Sequence, residues 1–252
     1  MSVRKVKSHR GWAVNVVVVV VKPSVRALTK RTWIDGEKIP ATGGCLLVAN
    51  HISHVDPLLT AHFVWEHGRI PRYLAKESLF RAPVVGPVLT SAQQIPVERL
   101  SRNAVGAYDA AVRAVNDGEC VVVYPEGTLT RDPDLWPMAA KSGAARIALK
   151  TGVPVIPVAH WGAQDLLYPY ASMIKLLPRK TITVKVGDPV GLDDLRALPH
   201  TPQVVRETTN RMMSALTGLV GELRGQEPPT VRFDQRKTGL LQTGDPNRNE
   251  AR

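Results

Sequence analysis

Two histidines and an aspartate share the stretch Asn50-His51-Ile52-Ser53-His54-Val55-Asp56-Pro57, directly after the apolar run Cys45-Leu46-Leu47-Val48-Ala49. Such side chains serve a metal site, a base with an orienting carboxylate, or a polar helix cap. A metallohydrolase motif needs histidines two apart so that alternate side chains face one ion. Here they stand three apart, Ile52 takes a ligand's place and Pro57 replaces the last ligand. A cap would use Ser53 or Asp56 on the unpaired N–H groups of a following helix. A base would use His51: a neutral imidazole accepts a proton from an alcohol, and a carboxylate on its other nitrogen fixes the tautomer and stabilises the imidazolium. A strand-to-helix turn is long enough to fold Asp56 back onto His51. No serine nucleophile is needed, because the imidazole can activate a bound hydroxyl directly. By itself the stretch leaves cap and catalytic pair open.

The surrounding elements decide whether such side chains meet. Strands are read at Cys45–Ala49, Arg72–Ala75, Gln94–Val97, Cys120–Tyr124, Val153–Ala159 and Thr181–Val186. Helical spacing is read over Asp56–His67, Asn103–Val115 and Ser142–Lys150, and from Thr201, an N-cap followed by Pro202, to about Leu223. Alternating strands and helices predict one α/β domain, residues 35–224, with a mainly parallel sheet flanked by helices. In such sheets functional side chains gather at the carboxyl ends of strands. Three polar clusters fall there: His51 to Asp56, Gln94 to Arg99, and Tyr124 to Asp132.

The chain has 252 residues and a formal charge of +11. Residues 1–34 hold eight Lys and Arg and no acid, whereas the remaining 218 residues hold 25 basic and 22 acidic side chains. A basic arm on a nearly balanced body suggests an anionic surface. Within the arm, Trp12-Ala13-Val14-Asn15 precedes six valines, Val16 to Val21. This run is about ten residues, against roughly 20 for a spanning helix. No small-residue cleavage pattern follows it. Residues 1–34 are therefore expected to anchor in one leaflet, with Trp12 and the flanking cations at the headgroups. Nucleic acid is not expected, because the arm lacks interleaved aromatics. Cys45 and Cys120 read as small buried hydrophobes in neighbouring strands. Residues 225–252 turn polar and are expected to be disordered.

Asn50-His51 with Asp56 resembles the NHx4D signature of the glycerolipid acyltransferases, the 1-acylglycerol-3-phosphate acyltransferases and their relatives. Gln93–Arg99 resembles their second block, G-x-I-x-I-x-R, and Tyr124-Pro125-Glu126-Gly127-Thr128 their third, F-P-E-G-T-R-S. Val153–Ala159 resembles the fourth, V-P-V-x-P-V, and Lys76–Phe80 is similar to an A-K-x-E-L-F segment between the first two. Four blocks in order, over roughly residues 40–190, make the resemblance specific.

The resemblance implies a glycerol-3-phosphate acyltransferase-like fold. It also implies transfer of an acyl group from acyl-CoA or acyl-ACP to a lysophospholipid, most directly 1-acylglycerol 3-phosphate. No cofactor beyond that co-substrate and no metal are expected, and the place of work is the cytoplasmic face of the cell membrane. His51 would be the base and Asp56 its partner. Arg99 would bind the acceptor phosphate with a bidentate fork, and Lys76 would add charge nearby. Glu126, Gly127 and Thr128 would shape the acceptor pocket, and Pro157 would line the donor site. Two positions depart from the pattern: Gln93 replaces the second block's glycine, and Leu129 the third block's arginine. Arg131 is a candidate to supply the missing cation. A basic tethered protein with degenerate motifs, and a hydrolase or transacylase using the same pair, are the alternatives.

Overall fold

The computed structural model describes residues 11–97 and 104–238. Seven strands, β1 (Thr29–Ile34), β2 (Cys45–Ala49), β3 (Pro71–Lys76), β4 (Ile95–Val97), β5 (Cys120–Val123), β6 (Val155–Trp161) and β7 (Lys180–Val186), form a sheet in the order β1-β7-β6-β2-β5-β3-β4. Neighbours are parallel except β6 and β7, which are antiparallel. The sheet is thus mainly parallel, as its apolar, β-branched strands predict. Strands covered on both faces need apolar residues at every position, and β2 and β5 are buried throughout.

Alternate strand residues feed two cores. Leu46, Val48, Val121 and Val155 face helices Ala104–Asn116, Gly143–Thr151 and Pro202–Arg224. Leu47, Val122, Ile156 and Val158 face helix Asp56–Glu66 through Leu59, Phe63 and Val64. Each such buried side chain contributes about 1.5–3 kcal/mol. The long helix starts as its sequence dictates: Thr201 accepts from the Val204 N–H, and Pro202 takes the first turn. Gly225, at φ 61°, ends it in a left-handed conformation that its missing β-carbon permits.

Two expected boundaries are corrected. The N-terminal segment expected over residues 1–34 is shorter, because Thr29–Ile34 forms β1, the edge strand parallel to β7. Two cations of the basic arm face inward: Lys22 and Arg31 lie 3.4 and 3.5 Å from Glu66, which also accepts from Trp33 Nε1 at 2.8 Å. These contacts and the adjacent His62 hold the Glu66 carboxyl well below the usual range, hydrogen bonding from His62 being the largest cause. The tail was expected to be disordered from residue 225, yet Phe233 O accepts from Ala139 N at 2.8 Å and Gln235 is buried. The rest of the tail, from residue 239, lies outside the described residues.

Ahead of β1 the chain is helical over Trp12–Val16, makes a π-helical stretch Val17–Val21, and is helical again over Lys22–Leu28. Among the described residues no helix is long and apolar enough to cross a membrane. A helix at Val85–Ser91, unexpected because it carries Gly86 and Pro87, packs against Trp12–Val16.

Candidate active site

The parallel strands β2, β3, β4, β5 and β6 end at one edge of the sheet, and the chain leaves β2 there into the turn bearing His51. Asp56 heads the helix Asp56–Glu66 but does not cap it; no side chain caps this helix. Its carboxylate folds back instead. Oδ2 accepts from the backbone N–H groups of Ile52 and Ser53, both at 2.7 Å, and lies 2.9 Å from His51 Nδ1. Asp56 is fully buried, while the His51 side chain keeps 16% of its surface exposed. A carboxylate bound at Nδ1 leaves Nε2 as the ring's available base.

The turn is locked from β6. Asn50 donates through Nδ2 to His160 O at 3.0 Å and accepts through Oδ1 from His160 N at 2.9 Å. The His160 ring closes the arrangement, with Nε2 2.6 Å from Asn50 O and 3.7 Å from Asp56 Oδ2. The loop after β5 locks it from the other side. The Thr130 N–H donates to His51 O at 2.7 Å, and the His51 N–H donates to Glu126 Oε1 at 3.2 Å. The other Glu126 oxygen accepts from Met138 N at 3.0 Å. Burial pushes the Glu126 carboxyl up to about 8, against the opposing pull of these N–H donors. The Tyr124 ring stacks on His51, centroids 4.2 Å apart and planes at 20°.

The described residues among those expected at the site divide into three groups. His51, Gly127, Thr128 and Lys76 line one cavity of about 1920 Å³. Thr128 Oγ1 lies 3.3 Å from the hydroxyl of Tyr170, which also lines it. Asp56 and Glu126 stand behind that wall, fully buried, and are hydrogen-bonded to His51. Pro157 and Arg131 do not line the cavity. Pro157 lies buried in β6 beside Val48, on the face covered by helix Pro202–Arg224, and Arg131 Nε donates to the Tyr170 hydroxyl at 3.3 Å. Arg99 lies outside the described residues. At Gln93 the backbone keeps a left-handed φ of 52°, the conformation that a glycine there would adopt freely.

Three contributors went unassigned in the sequence: Asn50 as a clamp, Tyr124 as a platform and Tyr170 as a wall. Their signal was adjacency to the polar clusters, but ring stacking and pairing across β2 and β6 need the third dimension. The cavity continues from His51 over Leu58, Ala61 and Trp65 to Val14 and Val18. Apolar lining beside a polar, basic end suits an amphiphile. Among the described residues no group of three or more His, Cys, Asp or Glu is placed to hold a metal ion.

The fold resembles the crystal structure of the 1-acyl-sn-glycerophosphate acyltransferase PlsC from Thermotoga maritima, with a TM-score of 0.63 and 24% identity over 85% of this chain and 81% of that one. The 1-acyl-sn-glycerol-3-phosphate acyltransferase of Borreliella burgdorferi is 36% identical over 142 residues, 53% of this chain and 55% of its own length. That of Bacillus subtilis is 25% identical over 193 residues, 75% of this chain and 86% of its own. The chain thus spans about half the length of the Borreliella relative, and 39% of a chloroplastic one from Brassica napus. The sequence pattern of the Acyltransferase family matches residues 31–161, more than half of the chain, and the protein belongs to that family.

Proposed function

We propose that the protein transfers a fatty acyl group from a thioester, of coenzyme A or acyl carrier protein, to the free hydroxyl of 1-acylglycerol 3-phosphate. One observation carries this reading: His51, held 2.9 Å from the buried Asp56, faces a cavity large and apolar enough for a lipid. The matching activity of the relatives supports the choice of acceptor. His51 Nε2 removes the acceptor's hydroxyl proton as the oxygen attacks the thioester carbonyl. The tetrahedral intermediate collapses with cleavage of the C–S bond, and the departing sulfur takes the proton from the imidazolium. Asp56 stabilises that imidazolium without changing place. A thioester is already activated, so the chemistry calls for no resident cofactor. Arg99 and Lys76 serve the acceptor phosphate, and Thr128 with Gly127 shapes its pocket.

The lysophospholipid acceptor resides in a bilayer, so the enzyme works at its surface. Trp12, Val19 and Val20 are 58%, 71% and 58% exposed on the N-terminal segment. Met173 and Leu177, at 74% and 81%, are equally bare on the loop between β6 and β7. Because those strands are antiparallel, that loop leaves from the edge that carries His51. Arg179, at its end, donates to Arg26 O and Thr29 O at 2.8 and 2.7 Å, which holds it beside the N-terminal segment.

The test is turnover of lysophosphatidate with acyl-CoA and acyl-ACP by purified protein, following phosphatidate and free thiol together. Equal yields of both, lost in His51→Ala, are expected. Thiol release without phosphatidate would make the protein a hydrolase, and phosphatidate formed equally by His51→Ala would end the base assignment.

A further inference from the structure

From the geometry of the loop after β5 we infer that Lys141 provides a further cationic contact for the acceptor's phosphate, beside Arg99 and Lys76; this rests on the reading just given. Leu129, where the resembling block carries arginine, is an aliphatic side chain 3% exposed. Arg131 is turned toward Tyr170, with Nε 3.3 Å from the hydroxyl and the guanidinium carbon 5.9 Å from the ring centroid. The cation at this loop comes from further along the chain.

Residues 138–141 are fastened by three hydrogen bonds, two to the loop after β5 and one to the C-terminal segment. Met138 N donates to Glu126 Oε2 at 3.0 Å, Ala139 N to Phe233 O at 2.8 Å, and Lys141 N to Pro125 O at 2.9 Å. This tether lays the Lys141 side chain over Gly127, which has φ +73°. A β-carbon built on Gly127 would stand 3.1 Å from Cδ, Cε and Nζ of Lys141 alike. Glycine at 127 therefore does two things: it permits the left-handed turn and leaves room for the lysine. The ammonium group is delivered three residues from Tyr124, on whose ring His51 stacks, and Lys141, Gly127, Thr128 and His51 share the cavity. An ammonium is a compact point charge with three donors, suited to a phosphate monoester. With the phosphate held there, the glycerol backbone can present its free hydroxyl to His51 Nε2. The backbone tether to Pro125 is independent of side-chain identity, so Lys141 can be changed without loosening the loop.

The test is binding in the His51→Ala background, where no turnover interferes. Titration calorimetry would compare 1-oleoylglycerol 3-phosphate, below its micellar concentration, with 1-oleoylglycerol, which lacks the phosphate. Lys141→Met should weaken the phosphate-bearing ligand about tenfold or more, and Lys141→Arg should restore most of the loss. In the His51-containing enzyme the same Lys141→Met change should raise KM for lysophosphatidate more than it lowers kcat. An equal loss of affinity for both ligands, no loss for either, or a rise in the donor's KM alone would overturn the assignment. Phosphate-dependent binding through Lys141 without any acylation would sustain this inference and sink the reaction. Acylation unaffected by Lys141→Met would do the reverse.

Discussion

The His51 imidazole lies stacked on the Tyr124 ring, centroids 4.2 Å apart, and Tyr124 is itself stacked on Tyr73 at 6.1 Å. The imidazole therefore rests on an aromatic shelf as well as on a carboxylate. The Tyr124 hydroxyl makes only a long contact, 3.5 Å, with Thr60 Oγ1. Tyr124→Phe should keep the shelf and change stability by less than about 1 kcal/mol, with kcat nearly unchanged. Tyr124→Ala should empty the space beneath the imidazole, cost about 3–5 kcal/mol and lower kcat as His51 tilts. Urea unfolding and steady-state kinetics on both variants would decide; equal kcat in Phe and Ala variants would leave the shelf without a catalytic part.

Asp56 should separate charge from architecture. Its Oδ2 collects three N–H donors, whereas Oδ1 is buried with no hydrogen-bond partner among the described residues. An asparagine can keep its oxygen on the donors and place its amide nitrogen where Oδ1 stands. Asp56→Asn is expected to fold, with Tm within about 4 °C of the parent, yet lose about 10²–10⁴ in kcat because the imidazolium loses its counter-charge. In the proposed mechanism His51 and Asp56 act as a unit, so adding His51→Ala to Asp56→Asn should cost little more. Multiplicative losses in the double variant would argue that the two residues work separately.

The central strands were legible because burial on both faces writes an uninterrupted apolar run, as in Cys45–Ala49 and Cys120–Val123. The His51 and Asp56 pair was legible because its partners lie within one turn. What failed were elements defined by a neighbour. Strand β1, Thr-Lys-Arg-Thr-Trp-Ile, is a polar edge whose pairing with β7 spans some 150 residues of chain. Read alone it is a basic arm, because β-propensity at an edge depends on context. Pro157 carries a motif's name yet lies under helix Pro202–Arg224, and Lys141 carries none yet reaches the loop after β5. Tethers such as Phe233 to Ala139 leave no periodic trace, so the packed part of the tail was unreadable too.

Glu126 gives a pH signature. Burial raises its carboxyl to about 8, so between about pH 4.5 and pH 8 the folded state holds a proton that the unfolded state has released. The contribution to stability is therefore full below that window, falls as pH rises through it, and is flat above it. Glu126→Gln carries no titrating group, so its stability relative to the parent should improve steadily from about pH 5 to pH 8. Urea midpoints of both proteins across this range test it; a constant difference would mean that Glu126 stays ionised in the fold.

Gln93 bears a measurable strain. A non-glycine residue at φ 52° costs about 1–2 kcal/mol, while glycine forfeits about 0.5–1 kcal/mol through the freedom of its unfolded chain. The Gln93 side chain is exposed and its backbone N–H donates to Thr90 O at 2.9 Å, so little else is lost on truncation. Gln93→Gly should stabilise by about 0.5–1 kcal/mol, whereas the β-branched Gln93→Val should destabilise by more than about 1 kcal/mol. Chemical denaturation of the pair checks the sign; a less stable glycine variant would show that the left-handed turn is relaxed.

Membrane attachment should depend on two surfaces that the topology brings to one edge. Val19 stands on the N-terminal segment and Leu177 on the loop between β6 and β7; they are 71% and 81% exposed, and neither lines the cavity that His51 lines. Burying either side chain in lipid is worth about 1.5–3 kcal/mol, so Val19→Asp or Leu177→Asp should each reduce partitioning onto anionic vesicles more than about tenfold. The two together should leave chiefly the electrostatic attraction of exposed cations such as Arg26 and Lys30, which added salt removes. Turnover of a soluble short-chain acceptor should persist in both, because the site they flank is intact. Vesicle sedimentation at low and high salt measures the first effect and short-chain kinetics the second. Undiminished sedimentation of the double variant would mean that the protein meets vesicles through another face.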